Sequence, residues 1–452
     1  MSLRSWWQRL VGGSAAPSPA QPAPRSERAL PAIPATKPAP AAAPAASAQP
    51  PVAFGVQRPL VGGQGRVAGF ECQLAQALSQ RLAERGDMAA QASHYALLMS
   101  GLKHPLAQGR HALAELPAAV LARPLVADAV PAGAWLGVPD LAQLPAELAR
   151  ALRTRGVRLG VPDGPPADAP EADFVWLRAH GDIDTLLLSA QRWQEARPRL
   201  PRLATGLDAV DDVERLLQAG FVLAGGRLDQ RRAASDRPLN AAAHRICELM
   251  NHLAMNRDTA VVADAVRADV ALTYRLLRYA NSPALGLSRG VDSVEQAVQL
   301  LGRQELSRWL QVLLLSTAAS RQASAALQEQ ALARGSLLER LARAEGQAAP
   351  ETLFSLGLFS MLEPLLEMPL ARALTPLRLG PAAEQALLHG QGPWAGHLQL
   401  ARALDHGDMD SAEALALPWG GLAAVQALER QAWHWAAAVN PGDDAESTKP
   451  VV

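Results

Sequence analysis

The chain has 452 residues, and 43 Lys and Arg balance 43 Asp and Glu, so the formal net charge is zero. This balance argues against a general nucleic-acid or membrane-surface binder, because both rely on excess positive charge. The two cysteines, Cys72 and Cys247, lie far apart and no CxxC pair occurs, which excludes a cysteine zinc site and favours a reducing cytosol. No apolar run reaches the roughly 18 residues of a membrane-spanning helix, so a cytoplasmic protein without a transmembrane segment is predicted.

The first 51 residues read as a disordered arm. Between residues 12 and 51 lie 11 of the chain's 35 prolines, together with many Ala, Ser and Gln that offer little to bury. The first eleven residues carry Trp6 and Trp7 and no long apolar stretch, so they are not a secretory signal. Two readings stay open for them, a frayed end or a short helix that contacts a membrane or a partner.

Residues 52–230 alternate between short apolar strands and amphipathic helices. The segments 53–60 and 66–74 flank the glycine-rich Gly62–Gly65 and predict a hairpin. Five more strands and three helices follow, and this alternation predicts a parallel sheet covered by helices. The strands are predicted at 134–138, 157–161, 173–177, 202–204 and 221–223, and the helices at 141–155, 183–196 and 210–219.

Residues 231–439 change to almost continuous helical periodicity, which predicts an all-α domain. Asp269 and Ser293 are expected to cap helix N-termini, and Gly302 is expected to end a helix. Residues 440–452 are polar, and a disordered tail is predicted for them. The usual catalytic signatures GxSxG, GxxxxGK[ST] and HExxH do not occur.

Six short segments between residues 54 and 228 resemble, in order, the EAL domain. They are Gln57-Arg-Pro-Leu, Gly69-Phe-Glu-Cys-Gln-Leu, Arg158-Leu-Gly-Val-Pro-Asp, Ala172-Asp-Phe-Val-Trp-Leu, Leu203-Ala-Thr-Gly-Leu-Asp and Gly220-Phe-Val-Leu-Ala-Gly-Gly. The resemblance implies a TIM barrel and the hydrolysis of cyclic-di-GMP by two divalent cations at the C-terminal rim. The region is shorter than the ~250 residues of a typical barrel, so a trimmed and incomplete barrel is expected.

By this resemblance the rim is vestigial. Glu71 matches the signature glutamate, Asp163 keeps one of two adjacent aspartates, and Asp208 stands for a glutamate. Trp176 replaces a lysine and Arg178 replaces an aspartate, so a positive charge would lie at the cation site. Two further family positions are changed, a glutamate to Thr205 and a glutamine to Gly225.

Residues 232–415 resemble the HDOD domain, a relative of the HD-GYP phosphohydrolases that lacks their metal-binding residues. The similarity is carried by the segments 268–283 and 293–303, in which Asn281, Ser282, Pro283 and Gly302 have structural roles. Asn281 is expected to end its helix in the left-handed conformation, and Pro283 prevents continuation. Ser360 and Met361 occupy the positions of the His-Asp pair, where neither can replace a metal ligand, and both are interpreted as core residues.

The sequence therefore predicts a multidomain protein, with a degenerate EAL-like α/β module followed by an all-α HDOD domain, and no enzymatic activity or cofactor. The leading hypothesis is a signalling adaptor that contacts a diguanylate cyclase, a kinase or a response regulator. The alternative is a cyclic-di-GMP receptor without hydrolysis, in which Trp176 stacks on a base and Arg178 meets a phosphate. An active phosphodiesterase is the least favoured reading.

Overall fold

The computed structural model describes residues 55–162, 171–179, 181–232, 238–281, 291–317 and 321–439. The predicted arm and tail, residues 1–51 and 440–452, lie outside these ranges, and so do Asp163, Ser282 and Pro283. A membrane-crossing helix would need a longer apolar stretch than any helix within the described ranges provides.

The N-terminal unit is a closed eight-stranded barrel whose strands follow one another in sequence order. Strand β1 pairs antiparallel with both β2 and β8, and all other neighbours are parallel, so the predicted hairpin and α/β class are confirmed. All eight strands are present, and the expectation of an incomplete barrel is wrong. The strands are β1 (Gly55–Gly62), β2 (Val67–Leu74), β3 (His111–Glu115), β4 (Trp135–Gly137), β5 (Arg158–Pro162), β6 (Phe174–Arg178), β7 (Arg202–Leu207) and β8 (Leu223–Gly226).

The connection between β5 and β6 is short for a crossover between parallel strands, which usually takes a dozen residues or more. β5 ends at Pro162 and β6 begins at Phe174, so eleven residues join them. The other connections hold α1 (Gln76–Arg85), α2 (Met88–Ala107), α3 (Ala118–Leu121), α4 (Pro124–Ala129), a 3₁₀ turn (Leu141–Gln143), α5 (Ala146–Thr154), α6 (Ile183–Ala196) and α7 (Val210–Gln218).

Large side chains fill the interior of the barrel. Seven buried residues from six strands contact one another there, which is possible only inside a closed sheet. Glycines make room for the aromatic rings: a Cβ built on Gly137 would lie 2.5 Å from Cε3 of Trp176, and one on Gly160 would overlap the ring of Phe174. The seven residues are Leu60, Leu113, Trp135, Phe174, Trp176, Leu203 and Leu223.

Every described element after β8 is helical, which confirms the predicted all-α unit. Asp269 and Ser293 cap their helices as predicted, since their side chains accept hydrogen bonds from the backbone N–H groups of the first turn. The helices are α8 (Ala241–Ala254), α9 (Thr259–Arg267), α10 (Val270–Ala280), α11 (Val294–Ser316), α12 (Ser324–Ala344), α13 (Glu351–Phe359), α14 (Leu362–Leu366), α15 (Leu370–Leu374), α16 (Pro381–Glu384) with a π turn (Gln385–His389), α17 (Ala395–His406), α18 (Met409–Leu415), a 3₁₀ turn (Leu417–Trp419) and α19 (Leu422–Val439).

Two motif residues of the helical unit behave differently from each other. Gly302 breaks α11 with φ 67° and ψ 174°, a conformation that favours glycine, as expected for a helix stop. Asn281 is not left-handed, and that part of the prediction is wrong, because its φ is −87° and its ψ is 8°. Its side chain instead donates to the carbonyl of Val291 at 2.7 Å and accepts from the Val291 N–H at 2.7 Å. Asn281 thus fixes the start of the next segment against the end of α10.

The helical unit covers the β1–β2 hairpin, which has no crossover helix of its own. Phe70 on β2 packs edge-on against Trp433 on α19, with ring centroids 5.2 Å apart. Gln426 on α19 donates to the carbonyl of Gly55 at 2.7 Å, and the N–H of Ala326 on α12 donates to the carbonyl of Gly65 at 3.0 Å. The barrel and the helices therefore pack as one body along this hairpin.

The packing inside the barrel predicts the effect of a single methyl group. Gly137→Ala should lower the free energy of unfolding by about 1–3 kcal/mol, because the added Cβ enters the volume of the Trp176 indole. Gly63→Ala is the matched control, since nothing lies within 4 Å of a Cβ built there. Urea denaturation of both variants measures the difference, and equal stabilities would contradict the close packing of the interior.

Candidate functional site

The C-terminal ends of the parallel strands form the mouth of the barrel. Of the five predicted rim residues the structure describes four, Glu71, Trp176, Arg178 and Asp208, which lie on these strands or just after them. Glu71 on β2 is buried and lies directly across the strand pair from Arg58 on β1. Burial raises the pKa of the Glu71 carboxyl, and the nearby Arg58 and Arg178 guanidinium groups offset only part of this rise. A carboxyl whose neutral form is favoured is a weak ligand for a divalent cation.

Trp176 and Thr205 form a hydrogen-bonded pair that ends on Glu71. The indole Nε1 of Trp176 donates to Oγ1 of Thr205 at 2.8 Å, and the Thr205 hydroxyl in turn hydrogen-bonds the Glu71 carboxyl. Both Trp176 and Thr205 are buried, so each polar atom needs this partner. Trp176 and Thr205 thus complement each other and close the centre of the mouth with side chains of the protein itself.

Neighbouring atoms of β1 also leave little space for a side chain at Gly225. A Cβ built on Gly225 would lie 2.7 Å from Cδ2 of Leu60 and 3.2 Å from the carbonyl oxygen of Pro59. The Leu60 side chain therefore occupies part of the space that a longer side chain would need, and it would have to shift to admit one.

Arg178 lies at the end of β6 and pairs with Glu115, the last residue of β3. Its guanidinium Cζ also lies 4.8 Å from the ring centroid of Trp176, within the range of a cation–π contact. Glu115 was not among the predicted site residues because β3 was not predicted. The alternation of His111-Ala-Leu-Ala-Glu115 was the available signal, although alanine is a weak strand former.

Asp208 lies at the outer edge of the mouth rather than in its centre. Its carboxylate is more than half exposed and lies 3.9 Å from a guanidinium nitrogen of Arg232, which also holds the buried Asp212 at 2.7 Å. In the described part of the chain, no three His, Cys, Asp or Glu side chains come together in a group that could hold a metal ion. The described rim does not fit a pair of divalent cations, since Glu71, Glu115 and Asp208 each lie beside a guanidinium group.

Ser360 and Met361, at the degenerate His-Asp position, are both buried, in keeping with their interpretation as core residues. The Ser360 hydroxyl donates to the carbonyl of Gly357 at 2.7 Å and accepts from Nη1 of Arg334 at 2.9 Å. Arg334 of α12 therefore contacts the residue that the family resemblance aligns with a metal ligand.

Arg334 is the centre of a buried charge cluster between the two units. It is 1% exposed, and its Nη2 lies 2.6 Å from Asp405 on α17 and 3.1 Å from Asp229, which follows β8. His406 is also 2.8 Å from Asp229. Burial opposes the charge on Asp229, but the His406 hydrogen bond and the Arg334 charge together hold the pKa of Asp229 below its ordinary value. The cluster was not predicted, because its members are 71 and 105 positions apart.

Two further arginines, Arg321 and Arg110, form buried ion pairs that join the units. Arg321, just before α12, contacts Asp211 at 2.7 Å and Glu214 at 2.9 Å, both on α7 of the barrel. Arg110 before β3 contacts Glu329 on α12 at 2.6 Å. Breaking one partner of such a pair leaves a buried charge uncompensated, at a cost of about 3–5 kcal/mol, so these contacts strongly favour a single arrangement of the two units.

Comparison with known proteins agrees with the motifs in the helical unit. Residues 238–366 match the HDOD domain family model, and the C-terminal unit therefore contains an HDOD domain, inside the predicted range 231–439. The chain is 28% identical over 218 residues to the uncharacterized protein YuxH of Bacillus subtilis, a match of 47% of this chain and 53% of that protein.

A second relative and one solved structure complete the comparison. The chain is 27% identical over 177 residues to the cyclic di-GMP phosphodiesterase CdgJ of Vibrio cholerae, a match of 39% of this chain and 41% of that protein. The chain thus spans about half the length of the curated relatives it matches. It is also similar to the EAL domain of Xanthomonas citri FimX in complex with c-diGMP, with 14% identity, a TM-score of 0.32, and coverage of 38% of this chain and 84% of that one.

The charge cluster predicts that Arg334 contributes strongly to the stability of the folded chain. Arg334→Leu should lower the free energy of unfolding by about 3–5 kcal/mol, because Asp229 and Asp405 keep buried charges without their partner. Arg192→Leu, at an exposed position of α6, is the control and should change stability by less than about 0.5 kcal/mol. Calorimetry measures both; a loss in Arg334→Leu no larger than in the control would contradict the role of the cluster.

Glu429 on α19 predicts a pH dependence of stability. Burial, and then the charge of Asp405, raise the pKa of this carboxyl to about 8 from its ordinary 4.5. The folded state therefore binds a proton that the unfolded chain has released, and stability should fall as pH rises from about 4.5 to 8. Glu429→Gln should reduce this fall and be more stable at pH 8, by up to about 4 kcal/mol. Glu84→Gln, at an exposed position, should leave the pH profile unchanged; a profile unaltered in Glu429→Gln would refute the assignment.

Proposed function

We propose that this EAL-HDOD chain is a non-catalytic protein of cyclic-di-GMP signalling that acts through protein contacts of its barrel and helical unit. One observation carries the proposal: at both positions where the related enzymes hold metal ions, this chain has buried or paired guanidinium groups. Arg58 and Arg178 stand beside Glu71 and Glu115 at the barrel mouth, and Arg334 contacts Ser360 in the helical unit. We assign residues 52–230 to the barrel and 231–439 to the helical domain.

Electrostatics supports the absence of catalysis. A divalent cation about 5 Å from one guanidinium group would be repelled by about 6–7 kcal/mol at an effective dielectric constant of about 20. Such a repulsion must be overcome by carboxylates, and the described carboxylates of the rim are already matched by arginine. Glu71, which remains in place, has its neutral form favoured by burial. Two-cation hydrolysis needs several ionised oxygen ligands around each ion, and the part of the mouth that the structure describes does not supply them.

The comparisons support the signalling context. The C-terminal unit contains an HDOD domain, and one relative is a cyclic di-GMP phosphodiesterase. Without bound metal, the two domains still present a folded surface. The buried ion pairs between the units hold this surface in one arrangement. A fixed surface built from two domains suits the recognition of a protein partner, for which we propose a diguanylate cyclase, a kinase or a response regulator.

Binding of cyclic-di-GMP without hydrolysis is the second candidate. The predicted stacking of a base on Trp176 has little support, because this side chain is fully buried in the barrel and its N–H is bonded to Thr205. Arg178 favours the candidate, since a third of its side chain is exposed at the mouth and could meet a phosphate. The charge of Arg178 is already shared with Glu115, so the adaptor remains the better-supported function.

A titration of the full chain with cyclic-di-GMP tests both candidates. With Mg²⁺ or Mn²⁺ present, we expect no product and no heat above dilution, and CdgJ of Vibrio cholerae is the positive control for turnover. Binding without product that Arg178→Ala weakens about tenfold or more would favour the receptor. Product formation that survives repurification and is lost in Glu71→Gln would overturn the non-catalytic proposal.

A further inference from the structure

Three arginines converge on one carboxylate where α11 packs beside α12. Arg308 of α11 pairs with Glu339 of α12 through two hydrogen bonds, from Nη1 to Oε1 at 3.1 Å and from Nη2 to Oε2 at 2.9 Å. Arg343, one turn after Glu339, donates to the same Oε1 at 2.6 Å. Arg340 follows Glu339 in the chain, and the charges of both other arginines act on it. We call Arg308, Arg340 and Arg343 the α12 arginine cluster.

The cluster carries more positive charge than its surroundings compensate. The Glu339 side chain is only 4% exposed and is, within the described part of the chain, the one carboxylate in ion-pair contact with these arginines. Three positive charges therefore share one buried negative charge. Burial, and then the charge of Arg343, lower the pKa of Arg340, although Glu339 offsets part of this effect. An additional negative charge at the cluster would relieve the repulsion between the guanidinium groups.

Packing against two aromatic rings fixes the guanidinium of Arg308. Its Cζ lies 4.1 Å from the ring centroid of Phe354 on α13 and 5.4 Å from that of Trp435 on α19. The acidic residue one turn earlier on α11, Glu305, accepts a hydrogen bond from the hydroxyl of Tyr279. Arg308 is therefore held in one place before any ligand arrives, and a group that is already ordered loses little conformational entropy on binding.

The cluster is accessible and keeps unused hydrogen-bond donors. The side chain of Arg343 is 59% exposed and that of Arg308 is 29% exposed. Arg340 donates to two neutral acceptors, to Oγ of Ser336 at 3.2 Å and to Oε1 of Gln431 at 2.9 Å. A guanidinium group has five N–H donors, and the hydrogen bonds within the described chain use no more than two on each of these arginines. Several guanidinium groups with unused donors suit the oxygen atoms of a tetrahedral anion.

We propose that the α12 arginine cluster binds the dianionic phosphate group of a phosphate monoester. Such a group carries about two negative charges at neutral pH and three oxygen atoms that accept hydrogen bonds. Its charge matches the excess of the three arginines over Glu339, and its oxygens accept from the unused donors of Arg340 and Arg343. The half-buried ring of Trp435, beside Arg308, offers an apolar side to the rest of the ligand. The site requires neither a protein partner nor the loss of catalysis, so it is independent of the proposed function.

Thermal unfolding of the full chain in inorganic phosphate, at constant ionic strength, tests the site. A ligand that binds the folded state raises the unfolding temperature, and the concentration dependence of this rise gives the dissociation constant. Arg340→Gln/Arg343→Gln should increase the dissociation constant about tenfold or more, because charge-assisted hydrogen bonds are lost. Arg150→Gln/Arg192→Gln removes two exposed arginines of the barrel, and its dissociation constant should equal that of the wild type.

Two further comparisons separate the site from general effects. Phosphate also stabilises folded proteins without occupying a site, so an equal rise in the wild type and in Arg340→Gln/Arg343→Gln would overturn the proposal. Arg340→Lys/Arg343→Lys keeps both positive charges and should bind phosphate more tightly than the glutamine variant. Equal weakness of the two variants would contradict a site that depends on charge. Unfolding without phosphate shows whether each variant folds, and the exposure of Arg343 predicts a small change.

Two phosphate esters then distinguish the source of the phosphate group. AMP represents a nucleotide, and a phosphoserine peptide represents a phosphorylated protein. The ester that binds more tightly identifies the source, and its effect should be lost in Arg340→Gln/Arg343→Gln. Adenosine and the unphosphorylated peptide should leave the unfolding temperature unchanged. A rise as large with these two compounds as with the esters would overturn the proposal, because binding would not require the phosphate group.

Discussion

The arrangement of this molecule depends on one buried guanidinium. Arg334 is almost inaccessible to water, and its charge is tolerable only while Asp229 and Asp405 both lie against it. One carboxylate follows the last barrel strand and the other is on α17, so the pairing is complete only when the two units are packed together. The ion pairs of Arg321 and Arg110 add the same condition at the start and on the barrel-facing side of α12. Buried ion pairs therefore join the domains, in addition to apolar contacts.

Arginine also lies beside the acidic groups that the structure describes at the barrel mouth, Glu71, Glu115 and Asp208. The residues around these groups depend on one another. The indole of Trp176 requires an acceptor, which Thr205 supplies, and it requires volume, which Gly137 leaves free. Trp176, Thr205 and Gly137 thus fit one another in both packing and hydrogen bonding.

Much of the fold could be predicted because it rests on local patterns. The hairpin, the predicted strands, the helix Ile183–Ala196 and the capping residues Asp269 and Ser293 follow from periodicity and from the needs of helix ends. Strand β3 was not predicted, because alanine at two of its five positions weakens the strand signal. The Arg334 cluster was not predicted for a different reason: its members are 71 and 105 positions apart in sequence and come together only through tertiary packing. Asn281 was correctly predicted to end its helix, but its predicted left-handed conformation is wrong. Its side chain hydrogen-bonds the backbone of Val291 instead.

The cover of the first hairpin has a consequence for biosynthesis. Strands β1 and β2 are synthesised before α12 and α19, which carry the groups that shield them, and the hydrogen bond from Gln426 to Gly55 spans 371 positions. At about 5–20 residues per second, tens of seconds pass between the synthesis of the hairpin and the synthesis of α19. Phe70 and its neighbours are exposed during that interval. Nascent chains of this protein should therefore need a chaperone at the hairpin until α19 has left the ribosome.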